Sequence, residues 1–420
     1  MFAMLIRPPE SLPRQTSPRR IAVRVRQKAV PAIRSGHPWL FEDSVKKAPP
    51  DAAPGDVAVL YDPDGKKILG AGLYDPHSQL RVRILQKDPA QPPVGPALFA
   101  KLAADAAAVR ADAIPAETTA YRLANGESDG FPGLVADRYA ETLVVKLYSE
   151  AFVPWAGDIA DAFFAANPGL VHCVIRLSRA LENSLFVRRV FPEPAAVFTE
   201  KPDAFNNPVR FQENGLIFEA DVIRGQKTGF FLDQRDNRAR VGTMSAGRDV
   251  LNVFSFSGGF SLYAARGGAS SVCSLDADKH AIEACDRHFE LNAAHPNVRR
   301  CKHEGIVGDA FEVMHDLAKS KRRFGLVIVD PPSFAKSAAE RDRALHSYAR
   351  LAALADSLLK PGGTLVFASC SSRVSADDLF PVVLAHTHVR ELARTGHAVD
   401  HPALFPESHY LKCLYAEKLP

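Results

Sequence analysis

Two reactive side chains each follow an apolar run of strand length in the second half of this chain. Asp330 follows Val327-Ile328-Val329, and Cys370 follows Val366-Phe367-Ala368-Ser369. The carboxyl ends of neighbouring strands meet at one edge of an open α/β sheet, and ligands bind at that edge. We therefore expect the carboxylate and the thiol to lie close together, where they could hold a flat heterocycle by its edge and by its face.

The thiol of Cys370 could act as a nucleophile toward a pyrimidine base. Carbon 5 of cytosine is a poor nucleophile while the ring is aromatic. Addition of a thiolate to carbon 6 converts the ring into an enamine, whose carbon 5 can attack a sulfonium methyl group. Asp330 could ease the addition by protonating or hydrogen-bonding ring nitrogen 3. A typical cysteine is buried and inert, but serines flank Cys370 on both sides. With Cys370 and Asp330 as catalytic residues, the sequence predicts methylation of cytosine carbon 5 in RNA.

The residues after Asp330 could position the base. Pro331 and Pro332 lack backbone N–H groups and cannot extend a central strand, so they force a rigid loop at the sheet edge. Phe334 would then be available to stack on the base. We predict that Pro331, Pro332 and Phe334 contact the substrate, although a strand terminator with a capping Asp would have the same sequence.

Three further strand ends indicate a nucleoside cofactor. One apolar strand opens onto Gly258-Gly259, the next ends at Asp276 about 20 residues later, and the third ends at Asp309. Such acids can hold ribose hydroxyls or an adenine amino group, although both could instead be helix N-caps. Because phosphate-binding glycine motifs are absent from the sequence, we predict S-adenosylmethionine. The cofactor-binding residues predicted here are Asn252, Phe254, Ser255, Gly258, Gly259, Asp276, Asp309, Ala310 and Asp330.

Strand–helix alternation from Asp249 onward predicts a doubly wound parallel sheet. Strands are expected near 250–256, 271–276, 304–308, 325–330 and 363–370, with a closing strand in 409–418. Asp233 stands where an N-cap would begin a helix over 234–241. The methyl-transfer domain is therefore expected to cover 225–420.

The amino-terminal half divides at changes in composition. Residues 1–19 are predicted to be a flexible basic tail, and short alternating strands with turn signals predict a small β-barrel over 20–90. A proline-rich linker over 89–96 precedes a central α+β domain over 97–224. In that domain a helix is expected over 97–113.

Composition restricts the class of protein and of partner. The chain has 420 residues, 46% of them apolar and 24% charged, as in soluble globular proteins. No membrane span or signal peptide is predicted, and a cytoplasmic location is expected. The six scattered cysteines lack zinc-ligand spacing, so no metal is expected. Residues 1–50 carry a local charge of +7, which fits either a polyanion partner or a solvated arm.

Three segments, 36–41, 125–139 and 227–235, together with the Asp-Pro-Pro-x-Phe and Ser-Cys-Ser runs, carry a family resemblance. The sequence resembles the bacterial 23S ribosomal RNA 5-methylcytosine methyltransferases with an N-terminal PUA domain. This resemblance implies an α/β class I (Rossmann-like) methyltransferase domain with a seven-stranded sheet, preceded by the PUA barrel and the α+β domain. It places Phe230, Asp233 and Arg235 near the cofactor, and it implies 23S ribosomal RNA as the partner. The predicted RNA contacts in the barrel are Arg24, Arg26, Arg34 and Trp39.

Three questions stay open at this point. Two-cysteine 5-methylcytosine enzymes carry a second cysteine near the Asp-Pro-Pro run, but Pro332 and Ser333 occupy those positions here. The base that removes the carbon 5 proton is therefore undetermined. The oligomeric state is also open, with a homodimer as one option. The alternatives in function are methylation of a guanine nitrogen or an exocyclic amino group, and a non-catalytic RNA-binding assembly factor.

Overall fold

The computed structural model describes residues 6–88, 90–335 and 337–420, and the chain divides into two compact units. The first comprises residues 1–215, 220–232 and 399–402; the second comprises 216–219, 233–398 and 403–420. The second unit thus begins its main segment at Asp233, eight residues after the predicted boundary. No helix in the described part of the chain is long and apolar enough to span a bilayer.

The described part of the first unit opens with seven short strands and one α-helix, and six of these strands form a curled sheet. Its elements are β1 (Ile6–Arg7), β2 (Arg20–Val25), α1 (Val30–Arg34), β3 (Trp39–Phe41), β4 (Val45–Lys47), β5 (Val57–Tyr61), β6 (Ile68–Tyr74) and β7 (Leu80–Gln86). The sheet order is β3-β7-β6-β5-β2-β4. Its edge strands, β3 and β4, are joined by residues 42–44 alone, which span at most about 15 Å. A flat sheet of six strands would separate its edges by about 24 Å. The sheet therefore curls back on itself, as a barrel requires.

The central part of the first unit is a mixed sheet with helices on one face. Its elements are α2 (Pro96–Ala111), β8 (Ala120–Asn125), β9 (Leu134–Tyr139), β10 (Thr142–Leu147), α3 (Ala156–Ala166), β11 (His172–Leu177), α4 (Leu185–Val190), β12 (Ala195–Thr199) and β13 (Val209–Glu213). The next strand, β14 (Leu216–Ala220), falls mostly in the second unit. The sheet order is β1-β12-β11-β10-β9-β8. Alternate residues of β10, namely Leu143, Val145 and Leu147, share one buried core with Phe99 of α2 and Phe163 of α3.

The amino-terminal segment differs from the flexible tail that was predicted. Strand β1 pairs in parallel with β12, with Ile6 opposite Val197. Arg14 donates from Nε and Nη2 to the two carboxylate oxygens of Asp161, each at 3.0 Å. A bidentate guanidinium–carboxylate pair fixes direction as well as distance, so this segment is attached to the central sheet. Residues 1–5 lie outside the described part of the chain.

The second unit is built on a seven-stranded sheet, as the family resemblance implies. Its elements are α5 (Arg235–Thr243), β15 (Asp249–Val253), α6 (Gly259–Arg266), β16 (Ser271–Asp276), α7 (Lys279–Leu291), α8 (Pro296–Arg300), β17 (Lys302–Val307), α9 (Ala310–Lys319), β18 (Phe324–Val329), α10 (Arg341–Leu358), β19 (Leu359–Ser369), α11 (Ala376–Ala385), β20 (Val389–Thr395) and β21 (Lys412–Lys418). The sheet order is β17-β16-β15-β18-β19-β21-β20, with β21 antiparallel to both neighbours. The order reverses direction between β15 and β18, and ligands of such sheets bind at the carboxyl ends of the strands there.

Candidate active site

The sheet register brings the two predicted catalytic residues to one edge. Strands β18 and β19 are parallel neighbours with Val329 opposite Phe367, so Asp330 and Cys370 both follow adjacent strand ends. Tyr348 of α10 lies between their loops, with its hydroxyl 3.0 Å from Ser369 Oγ and its ring centroid 5.1 Å from that of Phe334. Burial raises the pKa of Tyr348, and the negative charges of Cys370 and Asp330 add to the shift. The Cys370 thiol and the Asp330 carboxylate therefore both lie close enough to the Tyr348 hydroxyl to affect its pKa.

A buried hydrogen-bond chain orients the Asp330 carboxylate. Gln234 donates from Nε2 to Asp330 Oδ2 at 2.9 Å, and its Oε1 accepts from Asn237 Nδ2 at 2.6 Å. Asn237 Oδ1 in turn accepts from the Tyr415 hydroxyl at 3.0 Å. Because Gln234 and Asn237 are both buried, these bonds form in a medium of low dielectric constant, where they hold geometry strongly. Sequence reasoning did not assign a role to Gln234, although it belongs to the 227–235 segment that carries the resemblance.

Cys370 differs from the other cysteines in its surroundings. Burial raises the pKa values of Cys273, Cys285 and Cys413 to about 12, and it also raises that of Cys173. A protonated thiol is a poor nucleophile. Cys301 is half-buried, as Cys370 is, but it directly precedes β17 and so lies at the opposite, amino-terminal edge of the parallel strands. Cys370 is thus the half-buried thiol at the ligand-binding edge.

Lys412 of β21 places a buried ammonium group near Cys370. Only 6% of this residue is exposed. Its Nζ donates to Ser371 O at 2.5 Å and also to Val374 O. Burial lowers the pKa of Lys412 to about 8, and the charges of Cys370 and Asp378 act in the opposite direction. A cation beside a thiol stabilises the thiolate form. Sequence reasoning missed Lys412, whose one signal is a cation directly before the apolar run Cys413-Leu414-Tyr415-Ala416.

The turn after β15 is held in a form that exposes backbone groups at the sheet edge. Phe254 and Phe256 have φ values of 60° and 48°, a conformation that costs free energy for side chains of this kind. Phe256 N–H donates to Asp276 Oδ2 at 2.8 Å, which ties the turn to the end of β16. The buried Ser257 hydroxyl has no hydrogen-bond partner among the described residues. A buried polar group without a partner is costly and suits a polar ligand at this edge.

The two acids predicted to hold the cofactor bind backbone N–H groups. Asp276 Oδ1 accepts from Asp278 N at 3.0 Å, whereas the N-cap of α7 is Asp278 itself. Asp309 is the N-cap of α9, since its Oδ1 accepts from the N–H groups of Phe311 and Glu312. Asp309 therefore caps a helix, which was the alternative interpretation of its position in the sequence. The next residue, Ala310, is buried.

Gly258 adopts a backbone conformation that favours glycine and also packs closely against α7. Its φ is +76°, and a Cβ at this position would lie 2.1 Å from Cys285 Sγ of α7. Close packing of α7 against the turn therefore requires glycine, whatever binds at the edge. Gly259 is the first residue of α6. Asn252 is buried within β15 and donates from Nδ2 to Ser261 Oγ at 2.9 Å.

The segment before α5 also departs from the prediction. Asp233 lies in a 3-10 turn, Leu232–Gln234, so Gln234 and not Asp233 is the N-cap residue. Asp233 Oδ2 instead accepts from the Tyr410 hydroxyl at 2.9 Å. Arg235 is buried, with its Nε 3.1 Å from Asp236 Oδ1. Asp233 and Arg235 thus belong to the second unit, and their predicted contact with the cofactor stays a prediction.

Phe230 belongs to the first unit, where it is buried. Its N–H donates to the Tyr139 hydroxyl at 3.1 Å, and its ring centroid lies 5.2 Å from that of Phe211. The structure therefore places Phe230 in the packing of the central domain. Its predicted contact with the cofactor remains a prediction.

The predicted RNA-contact residues lie on the barrel. Arg24, Arg26 and Arg34 are exposed. Arg34 lines a groove of about 580 Å³ together with other cations, namely Arg20, Lys67 and Lys87. Trp39 lines a second groove, of about 680 Å³, with its ring edge-on to those of His37 and Phe41. Its Nε1 donates to Glu127 Oε1 at 3.0 Å.

Two protein-family models match parts of this chain, and known proteins match nearly all of it. Residues 195–411 match the S-adenosylmethionine-dependent methyltransferase model, and residues 23–87 match the PUA-like domain model. The ribosomal RNA large subunit methyltransferase of Deinococcus radiodurans is 43% identical over 418 residues, covering 97% of this chain and 99% of that protein. The ribosomal RNA large subunit methyltransferase I of Pseudoalteromonas translucida is 33% identical, covering 91% and 96%. The chain belongs to the ribosomal RNA large subunit methyltransferase family.

A solved structure shows the same fold. The crystal structure of SMU.776 complexed with SAH superposes on this methyltransferase with a TM-score of 0.76, covering 95% of this chain and 100% of that one, at 22% identity. The sheet order and the match to the family model confirm the predicted class of fold. The PUA-like match likewise confirms the predicted kind of amino-terminal domain.

S-adenosylmethionine is the cofactor of this methyltransferase. It supplies a methyl group bound to a sulfonium sulfur. The residues at the edge fit such a cofactor, because the turn after β15 offers the buried Ser257 hydroxyl, which has no partner in the described part of the chain. The expected contacts of Asp276 and Asp309 with the nucleoside part stay a prediction. Asp276 already fixes the turn through Phe256 N–H.

Substitution of Lys412 should change the pH dependence of this methyltransferase. Since burial lowers the pKa of Lys412 to about 8, its ammonium form is present below about pH 8 and is lost as the pH rises. We expect kcat/KM for methyl transfer to fall on this alkaline side. The Lys412→Met variant should be slower and should lack that fall, as measured from about pH 6 to about pH 10.

The variant Lys412→Arg is the matched control, because arginine stays charged throughout this range. It should retain activity at alkaline pH. An unchanged alkaline fall in Lys412→Met would exclude Lys412 as its source.

One group of potential metal ligands occurs in the described residues, in the first unit. Ligand atoms of Asp75, His77 and Glu150 lie within 4.8 Å of one another. His77 Nδ1 is 2.7 Å from Glu150 Oε2, and Ser149 Oγ donates to Asp75 Oδ2 at 2.6 Å. These hydrogen bonds explain why the three side chains lie close together. The expectation that the methyltransferase needs no metal stays a prediction.

Proposed function

We propose that this methyltransferase forms 5-methylcytosine in 23S ribosomal RNA through a covalent adduct of Cys370. The observation that carries the proposal is the half-buried Cys370 thiol beside the Lys412 ammonium group, at the strand end next to Asp330. A nitrogen atom attacks a methyl donor with its own lone pair and needs no thiol, whereas carbon 5 of a pyrimidine needs activation. This arrangement of side chains therefore favours carbon over nitrogen as the acceptor.

The proposed reaction uses three residues in defined roles. The Cys370 thiolate, stabilised by Lys412, adds to carbon 6 of cytosine. The electron pair of the carbon 5–carbon 6 double bond moves into the ring, where Asp330 donates a proton or a hydrogen bond to nitrogen 3. Carbon 5 would then take the methyl group as its bond to the donor's sulfonium sulfur breaks and a thioether leaves, while nitrogen 3 returns its proton to Asp330. Carbon 5 would at that stage carry both the methyl group and its hydrogen. Loss of that proton to a base restores the double bond and expels the Cys370 thiolate.

The base that removes the carbon 5 proton is not assigned. Pro332 and Ser333 stand where two-cysteine enzymes have a second thiol. Cys413 lies opposite Ala368 in the sheet, but it is buried and burial raises its pKa to about 12. Release of the product by Cys413 would therefore be unfavourable. A water molecule held by a polar group at the sheet edge fits better as the base that removes the carbon 5 proton.

Ribosomal RNA is proposed as the substrate because the relatives are named for it. The PUA-like domain supports this. One of its grooves is lined by the exposed Arg34 and other cations, and the second is lined by Trp39 together with the rings of His37 and Phe41. Proteins recognise folded RNA through phosphate contacts and stacking on unpaired bases. A cytoplasmic location belongs to the same proposal, and the homodimer stays one option.

Mapping of modified nucleotides tests this proposal directly. Mass spectrometry of 23S ribosomal RNA from a strain that lacks the protein should show the loss of one 5-methylcytosine, restored by the intact gene. RNA fragments that carry 5-fluorocytidine at that position should form a stable complex with the protein, because fluorine cannot leave as a proton does. Loss of a methylated nitrogen instead, or no complex with the fluorinated RNA, would refute the proposal.

A further inference from the structure

Two cations stand side by side on the central sheet of the first unit. Lys146 of β10 pairs in register with Arg176 of the parallel strand β11, and Arg176 pairs with Ala195 of β12. Both side chains alternate with the residues that pack against α2 and α3, so they lie on the opposite face. Neighbouring strands are about 4.8 Å apart, and like charges at that spacing repel each other.

No carboxylate neutralises this pair within the described part of the chain. Lys146, Arg176 and the nearby Arg179 form no ion pair there. Lys146 Nζ donates to Lys227 O at 2.9 Å, and Arg176 Nη2 donates to Gly225 O at 2.8 Å. Arg176 Nη1 is buried and has no hydrogen-bond partner among the described residues. Positive charge without an ion-pair partner among the described residues therefore remains on this face.

The charges around Lys146 have opposing effects on its pKa. Burial lowers the pKa of Lys146, and Arg176 and Arg179 lower it further. Asp137 and Glu182 act in the opposite direction but do not reverse the shift. An anion bound beside Lys146 would relieve this repulsion.

An exposed aromatic ring adjoins the cations. Tyr148 lies two residues after Lys146, on the same face, and 45% of it is exposed. The Lys146 Nζ lies 5.7 Å from the centroid of its ring. Arg179 is exposed just after β11. We name Lys146, Tyr148, Arg176 and Arg179 the basic row.

We propose that the basic row binds an unpaired segment of the RNA substrate, with phosphates beside its cations and one base stacked on Tyr148. Guanidinium groups match phosphate geometry, and an aromatic ring stacks on any base that is free of its own helix. A protein partner would need a matching acidic surface and would gain nothing specific from an exposed ring. The inference rests on the proposed function only in that the partner is RNA.

Binding measurements on two exposed positions test the proposal. Fluorescence anisotropy with a single-stranded fragment of 23S ribosomal RNA would be recorded over a series of KCl concentrations. Arg179→Ala should weaken binding and reduce the slope of log K against log salt by about 0.7. Tyr148→Ala should weaken binding on the order of 5–100-fold, with an unchanged slope. The same fragment annealed to its complement should not respond to Tyr148→Ala, because paired bases are not free to stack.

Lys101→Ala is the matched control. Lys101 is an exposed cation of α2, on the other face of the same sheet, so its loss changes net charge equally. It should leave affinity and slope unchanged. Wild-type RNA binding by both Arg179→Ala and Tyr148→Ala, or an equal loss in Lys101→Ala, would overturn the proposal. Anisotropy reports RNA binding without methyl transfer, so failure of the cytosine chemistry and failure of the basic row give different results.

Discussion

Replacing Cys370 by alanine should reduce the rate of methyl transfer to RNA on the order of 10⁴-fold or more. Without the thiolate, carbon 6 has no nucleophile and carbon 5 remains part of an aromatic ring. Transfer of tritiated methyl groups from S-adenosylmethionine to 23S ribosomal RNA under single-turnover conditions measures this rate. Binding of S-adenosylmethionine, measured by calorimetry, should stay close to that of the wild type, because Cys370 is not expected to contact the cofactor.

Cys301→Ala provides the control for this experiment. Cys301 is also half-buried, but it precedes β17 at the amino-terminal edge of the sheet. Its replacement should leave methyl transfer unchanged. Full activity in Cys370→Ala would remove the covalent mechanism and leave methylation of a nitrogen atom as the remaining reaction for this fold.

Replacing Asp330 by asparagine should lower kcat on the order of 10²–10⁴-fold, with a smaller effect on KM. The amide has the shape of the carboxylate and can still accept the hydrogen bond from Gln234. It cannot, however, transfer a proton to nitrogen 3. Asp330→Ala should in addition raise KM, because the hydrogen bond to the base is lost as well. Steady-state kinetics with a fixed RNA fragment separates the two effects.

Gln234→Leu controls for the position of the carboxylate. It removes the 2.9 Å hydrogen bond to Asp330 Oδ2 but leaves the acid in place. We expect a loss on the order of tenfold, since the acid is then less well oriented. If Asp330→Asn retained nearly wild-type kcat, Asp330 would have no role as an acid, and its contact with Gln234 would be structural.

Much of the methyl-transfer domain could be predicted because parallel strands buried on both faces have continuous apolar sequences. β18 has this pattern, whereas β15 and β16 combine buried apolar residues with a few polar ones, and the expected ranges overlap the observed ones. Strand β20 escaped prediction because its sequence, Val-Arg-Glu-Leu-Ala-Arg-Thr, is largely polar and it lies at the sheet edge. Edge strands carry little of the apolar signal on which such predictions depend.

Site residues that depend on distant contacts could not be predicted. Lys412 comes near Cys370 only because β21 inserts beside β19, and its low pKa is a consequence of burial. Gln234 reaches Asp330 across 96 positions of sequence. Asp233 was misplaced because a 3-10 turn moves the start of α5 to Arg235. Pattern and spacing describe local structure, whereas these roles arise from the tertiary fold.

The position of β21 has a consequence for when the protein can work during its own synthesis. This strand is threaded between β19 and β20, and it delivers Lys412 to the thiol at the sheet edge. A nascent chain that has not yet released residues 412–418 from the ribosome therefore has Cys370 without its cation, and β19 and β20 without the strand that joins them. Competence for methylation should therefore appear only once β21 has emerged and completed the sheet.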